Sequence, residues 1–411
     1  MALFGTNLEH GQRYNRRVVL EAIRLHGPLS RAEIARRTGL SAQTISNIME
    51  VLKREHLVTE RARRSGSRGQ PPINIEIDPA GAYSFGVSFD HSRLSVILLD
   101  LGGAIRGEVV LPVIEATPDV LVPLIESAAQ ALLGRHAAPR ERVWGLGLVL
   151  PALVRNGDPT ALGPLPGPNW QEFPVADRLQ ERLSLPVLVD NDATAGAIGE
   201  MLYGAGKALR SFFYFYLGVG LGGGIVMDGR PGRGASGMAG EVAHLISVPG
   251  GLPCACGNSG CLERYVSLSA AQSALTGEPE GARAVDVAAL AAAYAAKNPR
   301  LTAWISAAGI HLRNAIVSVE NLLDPEAVIV GGLMPEPLLD ALLAAIEPLP
   351  PSVSSRHNPQ GRRLVKAQAG LNTRVLGAAA LVMFDTMTPD FARLRRQEHT
   401  EPEPIRLADA S

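Results

Sequence analysis

Residues 241–263 read EVAHLISVPGGLPCACGNSGCLE, and the rest of the chain is best interpreted outward from them. The stretch holds all three cysteines of the 411 residues, Cys254, Cys256 and Cys261, with His244 upstream across a Gly/Pro turn. Three thiolates and an imidazole are the ligand set of a tetrahedral zinc ion. With no position left for water, one structural zinc per chain is expected. The competing reading is a disulfide with one thiol left over; the odd cysteine number and the lack of a secretory segment weigh against it. A knuckle over residues 244–261 fixes its loop. The loop's edges carry Glu241, His244 and Glu263, polar groups that a rigid loop can aim at a ligand rich in hydroxyls.

A chain of 411 residues is too long for one ordinary domain and suffices for two or three, each with its own core. The formal charge is −1, but it is unevenly spread: residues 1–78 carry 13 Lys/Arg and 8 Asp/Glu, leaving 26 and 32 for the remainder. A basic head before a mildly acidic body is the electrostatic footprint of nucleic-acid binding, although so small an excess does not establish it alone. No apolar run reaches membrane-spanning length, and MALFGTNLEHGQRYNRR has no signal-type segment. A soluble cytoplasmic protein with no membrane partner is expected.

In the head, VVLEAIRLHG places Val19, Leu20 and Ile23, with Leu25 as a further candidate, on one helical face, and Gly27-Pro28 ends that helix. Ser30 and Glu33 form a capping box that opens a second helix, which stops at Gly39. Ser41 then caps AQTISNIMEVLKREH. Two short helices joined by a glycine turn, the second presenting Ser41, Gln43, Thr44, Ser46 and Asn47 near its start, offer polar side chains to base edges in the major groove. The stretch TERARRSGSRGQPPINIEID follows as two extended segments around a Ser/Gly tip. Its arginines Arg61, Arg63, Arg64 and Arg68 make a basic wing suited to phosphates or a narrow minor groove. RGQPP is similar to a minor-groove arginine hook with Gln70 in place of one arginine. Alone, such a charge run is more often a solvated turn; the competing reading of the helices, a small bundle of no special function, is weighed down by the basic wing that follows them.

From about Pro79 strand and helix patterns alternate. AYSFGVSFDHSRLSVILLDLGGAIRGEVVL reads as a β-meander, PVLVDND as a strand ending in two polar residues, and FFYFYLGVGLGGGIVMDG as a strand that doubles back through glycines. Two strand-rich starts, each followed by helices, predict duplicated halves with a cleft between them.

The chain resembles the ROK family, named for repressors, open reading frames and sugar kinases, and specifically its winged-helix regulators. The resemblance runs from residue 13 to about residue 383 and is carried most specifically by GEVAH followed by CACGNSGCLE. It implies an α/β fold: a winged helix-turn-helix domain at 1–78, a two-lobed actin/hexokinase-like domain at 79–385, and a polar tail at 386–411 expected to be disordered. In the family's kinases the aspartate of an Asn-Asp pair takes the proton from a sugar hydroxyl, while the acids and histidine around the cysteines hold the sugar. Here these are Asn191, Asp192, Glu241, His244 and Glu263. Asn169 matches a loop asparagine of the family, but stands directly beside Trp170 instead of a few residues before it. Carboxylates and an amide can take paired hydrogen bonds from vicinal hydroxyls. Asp192 also reads as a plain N-cap for the helix after it.

The nucleotide half departs from the kinase pattern. Where the kinases have D-x-G-G-T, this chain has Ser88-Phe89-Asp90-His91-Ser92, which removes an acid on the magnesium side and adds a negative side chain in the phosphate space. The run GVGLGGG at 218–224 keeps its glycines but has Val219 where the kinases carry threonine. The expectation is a DNA-binding transcriptional regulator, foremost a repressor, with no enzymatic activity and with Asp192 as a vestigial base position. Its partners would be double-stranded operator DNA and a small sugar, and its assembly a homodimer or homotetramer. The alternative is an active ATP-dependent, glucokinase-like sugar kinase with an attached DNA-binding head. A third reading is an architectural DNA-binding protein with an inert cleft.

Overall fold

Local capping chemistry shapes the head. Helices α1 (Leu8–His26), α2 (Arg31–Thr38) and α3 (Ala42–Arg54) are followed by strands β1 (Val58–Ala62) and β2 (Ile73–Ile77). At the start of α2 the Ser30 amide donates to Glu33 Oε2 at 2.8 Å while Glu33's amide donates back to Ser30 Oγ, and Gly39 ends the helix at φ 70°. That left-handed turn is what glycine supplies without strain. Ser41 then accepts from the Thr44 amide at 3.1 Å. The apolar faces of the three helices meet over Val19, Ile23, Ile34, Ile45, Met49 and Leu52, and Ile75 of the antiparallel β1–β2 ribbon closes this core. The result is a winged helix-turn-helix.

The computed structural model describes residues 8–62, 73–89, 93–114, 116–150, 154–155, 158–159, 173–281, 284–357 and 362–389. It divides into two compact units, Met1–Ala82 with Met383–Ser411, and Tyr83–Val382.

The second unit is built twice on one plan. Strands β3 (Tyr83–Phe89), β4 (Arg93–Asp100) and β5 (Ile105–Pro112) form an antiparallel meander and are followed by α4 (Pro118–His136) and β6 (Val143–Leu150). The short β7 (Val154–Arg155) and β8 (Asp158–Pro159), α5 (Val175–Leu183) and β9 (Val187–Asn191) complete the half, whose sheet order is β5-β4-β3-β6-β9. After α6 (Asp192–Tyr203) the plan repeats with β10 (Phe212–Leu217), β11 (Leu221–Met227) and β12 (Arg230–Pro231). Helices α7 (Glu263–Val266), α8 (Leu268–Thr276), α9 (Val287–Ala295) and α10 (Pro299–Leu323) precede β13 (Ala327–Gly332); then come α11 (Glu336–Ile346), α12 (Val353–His357), β14 (Leu364–Lys366) and α13 (Thr373–Met387). The second sheet runs β12-β11-β10-β13-β14, and in both sheets the first strand pairs antiparallel with the second and parallel with the fourth. All six residues of β10 are buried, as expected of a central strand covered on both faces.

Between the sheets lie α6, which rests on β10 and β11, and α13. A Cβ added at Gly147 would fall 1.8 Å from the Ala378 carbonyl oxygen, and one at Gly377 would fall 2.5 Å from the Ala195 backbone. Helix α13 therefore approaches both β6 and α6 at backbone distance, which only the missing side chains permit. The duplicated halves leave the carboxyl ends of β3, β9 and β10 together at one cleft, the place where open parallel sheets present ligands. Among the described residues no helix is long and apolar enough to cross a membrane.

Candidate functional site

In the head, α3 offers the polar set expected from its sequence. Gln43 and Asn47 are exposed and joined by a 3.0 Å hydrogen bond from the Gln43 amide, while Thr44 and Ser46 are partly buried beside them. Ser41 has a structural duty as well, since its hydroxyl caps α3 and lies 2.8 Å from Thr44 Oγ1. Arg61 sits on β1 and pairs with Glu76 across the ribbon. Arg63, Arg64 and Arg68 lie outside the described residues. Two further exposed cations, Arg36 and Arg37 in the last turn of α2, escaped the sequence reading because they sit on the helix ahead of α3.

In the body, the knuckle takes the form its spacing predicts. The candidate ligand atoms of His244, Cys254, Cys256 and Cys261 lie within 4.8 Å of one another, with Cys254 Sγ at 3.7 Å from His244 Nδ1 and Cys256 Sγ at 3.6 Å from Cys261 Sγ. A disulfide requires about 2.05 Å between sulfurs, and all three cysteines are free. Four ligands about 2.0–2.3 Å from a shared centre in tetrahedral array stand roughly 3.5–3.8 Å apart, so the donor set fits a metal ion. The Asn258 backbone N–H holds the Cys256 thiol below its ordinary pKa, which favours the thiolate a metal needs.

His244 faces two ways. Its Nδ1 turns to Cys254, and its Nε2 lies 4.0 Å from Glu241 Oε2. The metal cluster and the cleft acids therefore share this ring. Burial is the first cause that pushes Glu241 up to about 7, with the charges of Asp192 and Glu263 adding to it. Glu263, at the start of α7, accepts from the Leu221 amide at 3.1 Å and lies against Gly220. Asn191, Asp192, Glu241, His244 and Glu263 thus converge at one cleft. Asn169 lies outside the described residues.

The N-cap of α6 is Asn191, whose Oδ1 accepts from the Thr194 amide at 2.7 Å, and not Asp192. Asp192 is the first helical residue, and its carboxyl takes hydrogen bonds from the first amides of the helix, its own and that of Ala193. Burial pushes it from the ordinary 3.8 up to about 6, against the opposing pull of the Arg374 charge, the backbone N–H groups of Ala193 and Asp192, and the Tyr216 hydroxyl. Arg233 pairs with the buried Asp190 next to Asn191 and so ties the end of β9 to the loop that leads to Glu241. Tyr216 and Arg374 are cleft residues that sequence reasoning missed. Tyr216 carries the one signal, the second phenol of the strand FFYFYL, two residues before a glycine loop; a buried hydroxyl needs a partner. Ser88 is buried on β3, and Asp90 and His91 lie outside the described residues.

The chain matches the ROK family over residues 85–384 and the MarR family over residues 16–69. It is 26% identical to the xylose repressor of Bacillus spizizenii over 375 residues, 90% of this chain and 95% of that protein. A glucokinase of Halalkalibacterium halodurans is 31% identical over 261 residues, 60% of this chain and 79% of that protein. Among solved structures, a ROK family transcriptional regulator homologous to the E. coli MLC protein superposes with a TM-score of 0.72 at 25% identity, covering 94% of this chain and 99% of that one. A ROK family glucokinase from Streptomyces griseus, in complex with glucose and AMPPNP, gives 0.60 at 27% identity over 73% of this chain and 99% of its own. The regulators match both units, whereas the glucokinase structure falls short of the full chain by the length of a head.

A raised carboxyl pKa has a stability consequence of definite sign. The unfolded chain releases the Asp192 proton near its ordinary value while the folded chain holds it to about 6, so the native state loses ground as pH rises between them. Relative to Asp192→Asn, wild-type stability in urea should be higher at pH 4 than at pH 7 by on the order of 3 kcal/mol. A wild-type-minus-variant difference that stays flat over this range contradicts the burial of the carboxyl.

Proposed function

We propose, for a chain that belongs to the ROK family, that it is a sugar-responsive DNA-binding repressor: the winged head holds operator DNA and the kinase-like cleft holds the sugar that controls it. The observation that carries this reading is the extent of the likeness. Regulators cover the head and the body together, while glucokinases cover the body alone.

The chemistry of the cleft supports a sugar. Asp192, Glu241 and Glu263 supply carboxyl oxygens, His244 a ring nitrogen and Asn191 a side-chain amide, a donor and acceptor set that vicinal hydroxyls satisfy and an apolar ligand leaves unpaired. Because the first regulator relative is a xylose repressor, an aldose such as xylose is the first effector to test, with glucose second. Zinc is the ion that three thiolates and an imidazole select. Bound there, it would be held by His244, Cys254, Cys256 and Cys261 and would lock the loop between Glu241 and Glu263. The protein works in the cytoplasm as a homodimer or homotetramer whose two-fold symmetry would match paired operator half-sites. No catalytic turnover belongs to this reading, and Asp192 serves as a hydrogen-bonding group. A sugar that binds the DNA-released state better than the DNA-bound state shifts the population toward release; equal affinity would shift nothing.

Capture of sheared genomic DNA at near-physiological salt, followed by sequencing, tests the reading. A few sharp sites are expected, and Gln43→Ala or Asn47→Ala should weaken binding at them by about 1–3 kcal/mol per lost base contact. Flat enrichment by folded, metal-loaded protein contradicts it. For the knuckle, the purified protein should carry one zinc per chain, and Cys256→Ser should lose the metal and lower both melting temperature and sugar affinity. A metal-free Cys256→Ser protein with undiminished sugar affinity refutes the coupling of zinc to the cleft.

A further inference from the structure

We infer that Tyr216, assisted by Arg374 and Glu263, seals the cleft on its nucleotide side, so that the pocket admits a sugar and excludes a nucleoside triphosphate. The inference rests on the reading of the cleft as a sugar site and assigns its specificity to residues outside the sugar-contacting set.

Phosphoryl transfer to a sugar needs the donor phosphorus about 3–3.5 Å from the hydroxyl that faces the base, in line with the bond to be broken. In this cleft that space lies between Asp192, the glycine loop after β10 and the carboxyl end of β3. Three protein groups occupy it or its rim. Tyr216, 3% exposed, donates its hydroxyl to Asp192, and its ring lies flush against the glycine loop. A Cβ added at Gly218 would stand 2.4 Å from the ring and 3.0 Å from the phenol oxygen. The loop closes over a phenol at the point where a phosphate would need to enter.

The loop's amides are also committed. The Gly218 N–H donates to the Gly220 carbonyl at 2.9 Å, and the Leu221 N–H donates to Glu263 Oε2 at 3.1 Å. Backbone amides of a glycine loop attract phosphate only while they are available. Here a carboxylate already holds one of them, and an incoming phosphate would meet that negative charge together with Asp192. Across the gap, Arg374 reaches from the first turn of α13 to the Phe89 carbonyl at 3.5 Å and exerts its charge on both Asp192 and Tyr216. The guanidinium is thereby engaged by Asp192, Tyr216 and the Phe89 carbonyl.

The test uses full-length, zinc-loaded protein with Mg-AMP-PNP as the probe, in equilibrium dialysis with and without saturating xylose or glucose. Wild type and Tyr216→Phe, which keeps the ring, should show no binding at millimolar nucleotide. Tyr216→Ser, or Tyr216→Val if the serine variant does not fold, should bind at least about tenfold more tightly. Binding of AMP-PNP by wild type, sugar-dependent ADP release from Mg-ATP by wild type, or a folded small-residue variant that gains nothing each overturns the assignment. A sugar titration on the same samples reads the underlying premise separately: if no sugar shifts the wild-type melting temperature, the sugar-site reading fails, while the nucleotide comparison still decides what Tyr216 does.

Discussion

Asp192 places a carboxyl group at the first residue of a buried helix, where desolvation alone holds back its ionisation to about pH 6. A buried charge without partners costs several kcal/mol, so such a group persists only where the surroundings supply donors. The rest of the body arranges them. The N-terminal end of α6 directs its amides and dipole toward the carboxyl, Tyr216 reaches it from β10, and Arg374 approaches from α13. These three elements come from both halves of the duplicated fold, so the cleft is defined only when the two sheets and the helices between them are assembled. The backbone-distance contacts at Gly147 and Gly377 leave no room for side chains within that assembly.

The knuckle provides the opposite wall. Its ligand atoms cluster within 4.8 Å, and His244 belongs to both the cluster and the cleft through its two ring nitrogens. A ring fixed at Nδ1 has its Nε2 aimed, which is how a structural metal sets the orientation of a ligand-binding group without touching the ligand. Glu241 beside it, raised to about 7, can donate as well as accept near neutral pH, which suits a hydroxyl that does both.

The features legible in the sequence are those whose causes are local. Ser30 with Glu33, Gly39 and Ser41 form caps within four residues of their partners, so the helix-turn-helix could be read directly. The cysteine spacing named the knuckle for the same reason. Duplication was visible because each half repeats the same meander pattern, and the two sheet orders bear it out. Long-range placement was not visible. Tyr216 looked like one more apolar strand residue, and Arg374 like a cation in a terminal helix, until the fold set both at Asp192. The exchange of capping duty from Asp192 to Asn191 turns on one residue of helix register, which periodicity does not resolve. Helix α13 runs to Met387, and Arg17 of α1 donates to the Thr388 carbonyl at 3.1 Å, a contact across 371 residues of sequence that no local pattern announces.

Control of a repressor by a sugar requires that the two binding events be linked, and linkage is reciprocal for equilibrium affinities. The most direct measurement is a pair of titrations on one preparation: a labelled operator duplex with and without saturating sugar, and the sugar with and without saturating operator. A repressor released by its effector should lose operator affinity by some factor in the first titration and lose sugar affinity by the same factor in the second. Operator and sugar each bound with affinities indifferent to the other would contradict the coupling between head and cleft.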